Sequence, residues 1–188
     1  LKSKQPLLDI GYAVAEQQLT LREYDSKAAF AMKESSRPIT ITKFEKSTDV
    51  GGYDWLISFD RQGFINKIVY GQMSIIEEHS SLRPNFWRAP TENDLGAKLH
   101  NRFAAWRNPA MNFKKLEHKV ENGVAVLKAS YDMPTVKAKM EITYTINGEG
   151  EIKVSQAMTT EKGANVSGMF RYGMRMELPA AYNTLEYY

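Results

Sequence analysis

Cysteine is absent from this 188-residue chain, which excludes disulfides and thiolate metal sites but leaves the compartment open. Long apolar runs are missing too. None approaches the roughly 18 residues that a helical membrane span requires, so the membrane is not an expected partner. Charge of one sign is scarce: 25 Lys and Arg face 22 Asp and Glu, for a net charge of +3. The longest cationic run is Lys114-Lys115. A nucleic-acid footprint needs basic residues gathered on one face, and no stretch of this chain announces one. The start, Leu1-Lys2-Ser3-Lys4-Gln5-Pro6, has neither a signal-peptide core nor an initiator methionine and reads as cut from a longer polypeptide.

What is present reads as strands and turns. Hydrophobic residues make up 43% of the chain and charged residues 25%, an ordinary globular balance. Tyr12 to Leu21 alternates loosely after Gly11, and Pro38 to Phe44 is rich in β-branched residues, as strands are. Trp55 to Asp60 and Phe64 to Tyr70 are two apolar runs joined by Arg61-Gln62-Gly63, which predicts a hairpin. Asn122-Gly123 introduces Val124 to Tyr131. Val136 to Ile146 alternates, then Asn147-Gly148-Glu149-Gly150 turns the chain into Glu151 to Met158. A last strand is expected over Met169 to Leu178. Strands of this length, with a turn about every ten residues, predict an antiparallel sandwich.

One stretch departs from period two. Leu95, Leu99, Phe103 and Trp106 fall at helical spacing between Thr91 and Trp106, with Asn93 or Asp94 as the expected cap. Ser80 to Pro90 is too rich in proline, arginine and aromatics for an ordinary strand.

Catalytic chemistry is hard to find. Glycoside hydrolysis needs two converging carboxylates. Glu77 and Glu78 are adjacent, so on a strand they point to opposite faces, while Glu92 and Asp94 read more simply as a solvated residue and a helix cap. His79, His100 and His118 are not at metal-ligand spacing, and no nucleophile elbow, phosphate loop or dinucleotide fingerprint occurs. Asn165-Val166-Ser167 fits the glycosylation pattern, a short match that arises often by chance. Trp55 and Trp106 are expected in the core. Trp87, between Phe86 and Arg88, is a candidate for stacking on a sugar face.

The segment Arg83-Pro84-Asn85-Phe86-Trp87-Arg88-Ala89-Pro90-Thr91-Glu92-Asn93-Asp94-Leu95-Gly96 resembles the R-x-x-F-x-R-A-P-x-x-N-D-x-G signature of the small-chain domain in glycoside hydrolase family 2 β-galactosidases. Phe59-Asp60-Arg61-Gln62-Gly63-Phe64-Ile65 is similar to a strand hairpin of the same family. Leu185-Glu186-Tyr187-Tyr188 is similar to the run before its G-R-G-P-x-E-N-Y motif.

That resemblance implies an all-β antiparallel supersandwich of the galactose-mutarotase type with one short helix. Residues 24–188 would form its first part, and residues 1–23, with Glu16, Gln17 and Gln18 in a last strand, would end a preceding immunoglobulin-like domain. It implies that the hydrolytic glutamates sit on a (β/α)₈ barrel elsewhere in a parent enzyme acting on terminal β-galactosides. No catalytic residue and no cofactor is then expected in this chain, and any Mg or Na ions would be bound elsewhere in the parent. By the same likeness Arg88, Asn93, Asp94 and Gly96 would lie near substrate, with Gly96 a hinge and Ala97 to about Arg102 a moving loop. The expected partners are the barrel, the galactoside through the parent, and further copies in a homo-oligomer. Two other readings of the residues remain open: a sugar-binding module with an aromatic platform, and a purely structural or oligomerisation domain.

Overall fold

The computed structural model describes residues 4–13, 15, 19, 31–33 and 35–186. The chain divides into two compact units, Leu1–Ala31 and Met32–Tyr188. In the first, a Gln5–Leu8 bridge closes a tight turn, with Leu7 and Gly11 at positive φ. Most of the strand expected over Tyr12 to Leu21, including Glu16, Gln17 and Gln18, lies outside the described residues.

The second unit is an all-β sandwich. Its first sheet is an antiparallel meander of β1 (Thr40–Lys43), β2 (Thr48–Gly51), β3 (Trp55–Phe59), β4 (Ile65–Tyr70) and β5 (Met73–Ser74), in that spatial order. After β6 (Arg83–Asn85) and a helical crossing come β7 (Asn112–Glu121), β8 (Val124–Met133), β9 (Ala138–Ile146) and β10 (Ile152–Thr160), which form a second meander. Near the end β11 (Gly173–Arg175) returns to pair with β6, Met174 opposite Pro84.

Alternation decides which face is covered. In β8 Ala125, Leu127, Ala129, Tyr131 and Met133 are buried, while their neighbours Val126, Lys128, Ser130 and Asp132 are half-exposed. Strand β9 does the same with Ala138, Met140, Ile142, Tyr144 and Ile146. This inner face meets Val50, Ile57, Phe59, Ile65 and Ile68 of the five-stranded sheet. Phe59 sets its ring edge-on to Tyr144 at 5.0 Å, and Phe64 stacks on Tyr131 at 5.1 Å. Such aromatic pairs join the two layers through ring contacts of favourable geometry. The outer face carries exposed ion pairs instead, such as Lys128–Glu141 at 3.0 Å.

Turn chemistry fixes the register. Asn122 and Gly123 both have positive φ, 52° and 72°, as a two-residue type I′ hairpin demands, so Glu121 pairs directly with Val124. Gly63 ends the β3–β4 turn at φ 75°, and a side chain there would meet Phe113, Ala129 and Tyr131 within 3.0–3.2 Å. Asn147 is fully buried and satisfied. Its Oδ1 accepts from the Glu149 and Glu151 amides at 3.0 and 2.9 Å, and its Nδ2 donates to the Lys33 carbonyl and the Glu151 carboxylate at 3.0 and 2.8 Å. Across the sandwich, Trp55 Nε1 donates to the Gly148 carbonyl at 3.1 Å and the Tyr70 hydroxyl to that of Gly150 at 2.6 Å.

Several expectations need correction. The single helix over Thr91–Trp106 is broken into α1 (Glu92–Gly96), α2 (Leu99–Arg102) and a 3-10 turn at Ala104–Trp106, because Lys98 adopts a left-handed φ of 57°. Leu95 is 49% exposed, so the helical stripe is not the buried one; Phe103 and Trp106 go to separate neighbours instead. The cap is Thr91, not Asn93 or Asp94. Only Gly173–Arg175 of the expected strand Met169 to Leu178 is paired, and β2, β5, β6 and β7 were not anticipated. Val136 belongs to a 3-10 turn before β9. Trp55 and Trp106 are in the core as expected, 5% and 1% exposed.

Two buried phenols differ in satisfaction. Tyr131 donates its hydroxyl to the Gln62 carbonyl at 2.7 Å, whereas the buried hydroxyl of Tyr144 has no hydrogen-bond partner among the described residues. Tyr131→Phe should therefore cost about 1 kcal/mol in chemical denaturation of the purified protein, while Tyr144→Phe should be neutral or stabilising by up to about 1 kcal/mol. The reverse ranking would contradict these assignments.

Candidate functional site

The signature segment is held in place from within. Thr91 caps α1: its Oγ1 accepts from the Asp94 amide at 3.4 Å, and Asp94 Oδ2 accepts from the Thr91 amide at 2.7 Å. This is a reciprocal capping box, in which the cap and the third helical residue satisfy each other's backbone donors. Asp94 also takes a two-pronged contact from Arg88, with Nη1 to Oδ2 at 2.6 Å and Nη2 to Oδ1 at 3.2 Å. Planar guanidinium and planar carboxylate match in this geometry. The Arg88 hydrogen bonds, the Thr91 amide and the positive charge beside it hold the Asp94 carboxyl down at about 2, despite its burial. An acid that strong is ionised at neutral pH and cannot serve as a proton donor.

Arg88 is used up by structure. Beyond Asp94 it donates to the Ala89 carbonyl at 3.1 Å, and its guanidinium lies 4.8 Å above the Phe170 ring. Phe170 is the hub of the crossing: Trp87 meets it edge-on at 4.8 Å and Phe103 at 5.2 Å. Trp106 donates Nε1 to the Ser167 carbonyl at 2.9 Å and stacks obliquely on Phe86 at 5.4 Å. The segment after β5 is thereby sewn to residues 167–172, which lie some eighty positions along the chain.

Of the residues predicted near substrate, only Trp87 and Arg88 line the same groove. Trp87 is half-buried and lines an open groove of about 1230 Å³ together with Arg88, while Asp94 is buried and does not line it. Asn93 and Gly96 are exposed on α1 and do not line that groove. Gly96 is the last residue of α1, with open space where a side chain would stand and no positive φ; the left-handed position is Lys98. Ala97 caps that helix and Leu99–Arg102 form α2. Glu92 is exposed in the first turn of α1, and Glu177 is the one carboxylate lining the groove. Among the described residues no group of His, Asp and Glu is placed to hold a metal ion. Sequence reasoning missed Thr91, although Thr-x-x-Asp is a capping-box pattern that could have named it. Phe170 had no local signal at all.

Because the Asp94 carboxyl lies below its ordinary value of 3.8, its contribution to stability is fully present above about pH 4 and is lost as pH falls through about 2. Asp94→Asn should lower the denaturation midpoint at neutral pH, and the gap to the unsubstituted protein should narrow between about pH 4 and pH 2. The carboxylates of Asp132 and Glu151, also held below their ordinary values, titrate in both proteins and do not obscure the difference. A gap that stays constant across that range would show that the Arg88–Asp94 pair is not the cause.

Residues 51–188 match the family model described as the beta galactosidase small chain. The chain is 30% identical over 182 residues to the β-galactosidase of Priestia megaterium, a match covering 95% of this chain and 17% of that relative. It is 29% identical over 185 residues to the β-galactosidase of Clostridium acetobutylicum, covering 95% of this chain and 20% of the relative. With the β-galactosidase of Lactobacillus delbrueckii subsp. bulgaricus it shares 24% over 193 residues, 100% of this chain and 18% of the relative. The chain thus spans about a fifth of the length of these curated relatives. The matched region holds β3 to β5 of the first sheet, the whole second sheet and the crossing built on Arg88, Asp94 and Phe170, and this chain belongs to the β-galactosidase small-chain family.

Proposed function

We propose that this chain is the small-chain part of an enzyme that hydrolyses terminal β-D-galactosides, and that it braces a catalytic barrel without taking part in bond cleavage. The observation that carries this reading is the family match over residues 51–188 combined with the state of the acidic residues. Asp94 is locked as an anion by Arg88 and Thr91, and Glu177, alone among the residues lining the groove in being acidic, is engaged by Arg175. Hydrolysis with retention or inversion needs a protonated acid and a second carboxylate roughly 5–10 Å apart. The described residues offer no such pair facing the groove. In this reading the Arg88–Gly96 segment stands at the mouth of the parent's active site, Mg or Na ions are bound by other parts of the parent, and the parent is a homo-oligomer.

A sugar-binding module would need a row of exposed, coplanar rings. Trp87 instead turns its face toward Arg107 and abuts Phe170, which favours packing over stacking on a ligand.

Two measurements test the proposal. The 188-residue chain, purified alone, should show no turnover of a chromogenic β-galactoside, whereas the product of the full gene should hydrolyse it. Turnover by the isolated chain that survives repurification, or an inactive full product, would overturn the reading. Titration calorimetry of the isolated chain with galactose or lactose should show no saturable heat in the millimolar range.

A further inference from the structure

The groove beside the signature segment concentrates arginine. Arg83, Arg88, Arg107, Arg171 and Arg175 all line it, five of the nine arginines in the chain, and Glu177 is the sole carboxylate among its lining residues. Three of the five are engaged. Arg88 is held by Asp94, Arg175 contacts Glu177, and Arg83 donates to Ser81 Oγ at 2.6 Å and lies 3.6 Å from Asp60. Arg107 and Arg171 are different. Both are exposed, and neither has an ion-pair partner among the described residues. Arg107 only overlies the Trp87 ring, at 5.9 Å.

We infer that this groove is a docking site for a carboxylate-bearing segment of the enzyme that lies outside these 188 residues, with Arg107 and Arg171 as its clamps. Guanidinium is the cation best suited to gripping a carboxylate, because it is weakly hydrated, always charged, and presents a flat fork that meets the anion side-on. Like charges gathered on one concave wall repel one another, so an anionic occupant relieves a cost that water alone leaves in place. The groove's volume, about 1230 Å³, admits a peptide segment rather than a lone ion. The curated relatives supply enough polypeptide for such a segment, since the chain spans only 17–20% of their length. The inference rests on the proposed parent enzyme and adds to it which face meets the remainder and by what chemistry.

Zero-length carbodiimide coupling tests it in the full enzyme. Arg107→Lys and Arg171→Lys each place an amine where a guanidinium stood and keep the charge. The exposed Lys128–Glu141 pair, 3.0 Å apart, is a built-in positive control for coupling. The expected result is a new isopeptide link from position 107 or 171 to an Asp or Glu outside residues 1–188, found by peptide mapping in yield comparable with the control. The inference is overturned if the control pair couples while positions 107 and 171 couple only to Glu177, or remain free and open to amine-reactive labels. Either of those outcomes would mark the groove as solvent-filled or as a site for small soluble anions. Hydrolysis of a chromogenic galactoside by the same preparations separates the two ideas. Activity without the cross-link sinks the docking site alone, and absence of activity in the unsubstituted enzyme sinks the parent assignment.

Discussion

The inner face of the two central strands, β8 and β9, is apolar from end to end, and one sheet by itself cannot bury it. Tyr131 and Tyr144 stand on that face beside Leu127, Met140 and Ile142, and each reaches the opposite sheet through Phe64 and Phe59. Burying a Leu- or Ile-sized side chain contributes about 1.5–3 kcal/mol, so the two sheets have a strong reason to stay together. Everything else in the second unit is arranged around that contact. The turns point inward to meet it: Gly63 fits beneath Tyr131, and Gly148 and Gly150 lie against Trp55 and Tyr70. In each case a carbonyl that would otherwise be lost from water gains a side-chain donor.

The crossing between the two sheets follows a second logic, in which polar groups satisfy one another. Arg88, Thr91 and Asp94 form a closed set, and removal of any one leaves a donor or a charge without its partner. Phe170 seals that set from the far side by taking Arg88, Trp87 and Phe103 on one ring. This explains why a signature so dense in reactive-looking side chains displays so little free chemistry. Its acid Asp94 is charged at neutral pH, Arg88 is occupied, and its tryptophan is half-covered. In the structure the signature's side chains serve the packing of the crossing.

Surplus charge lies just beyond that set. The chain as a whole has a net charge of only +3, yet one groove gathers most of its arginines. The crossing brings Arg83, Arg88 and Arg107 to the groove, and the return to β11 brings Arg171 and Arg175. A surface of that kind draws anions from solution or from protein toward it.

Much of the sandwich was legible in the sequence because its information is local. Alternation in Ala125–Met133 and Ala138–Ile146, and the Asn-Gly pairs at 122–123 and 147–148, specify strand, face and turn within a few residues of one another. The run from Arg83 to Gly96 likewise announced the family by its residues alone. Charged β7 was not legible, since its inner residues Leu116 and His118 alternate with lysines and glutamates in a stretch that looks solvated. Nor was the broken helix: Leu95, Leu99, Phe103 and Trp106 have helical spacing, but Phe170 and Ser167, far along the chain, decide where Phe103 and Trp106 go. The basic groove had the same origin. Its arginines are separated by up to ninety-two positions, from Arg83 to Arg175, so no window of sequence shows them together. Period and turn chemistry act between neighbours and are written in order along the chain, whereas the meeting of β6 with β11 depends on which surfaces remain uncovered once the sheets have packed.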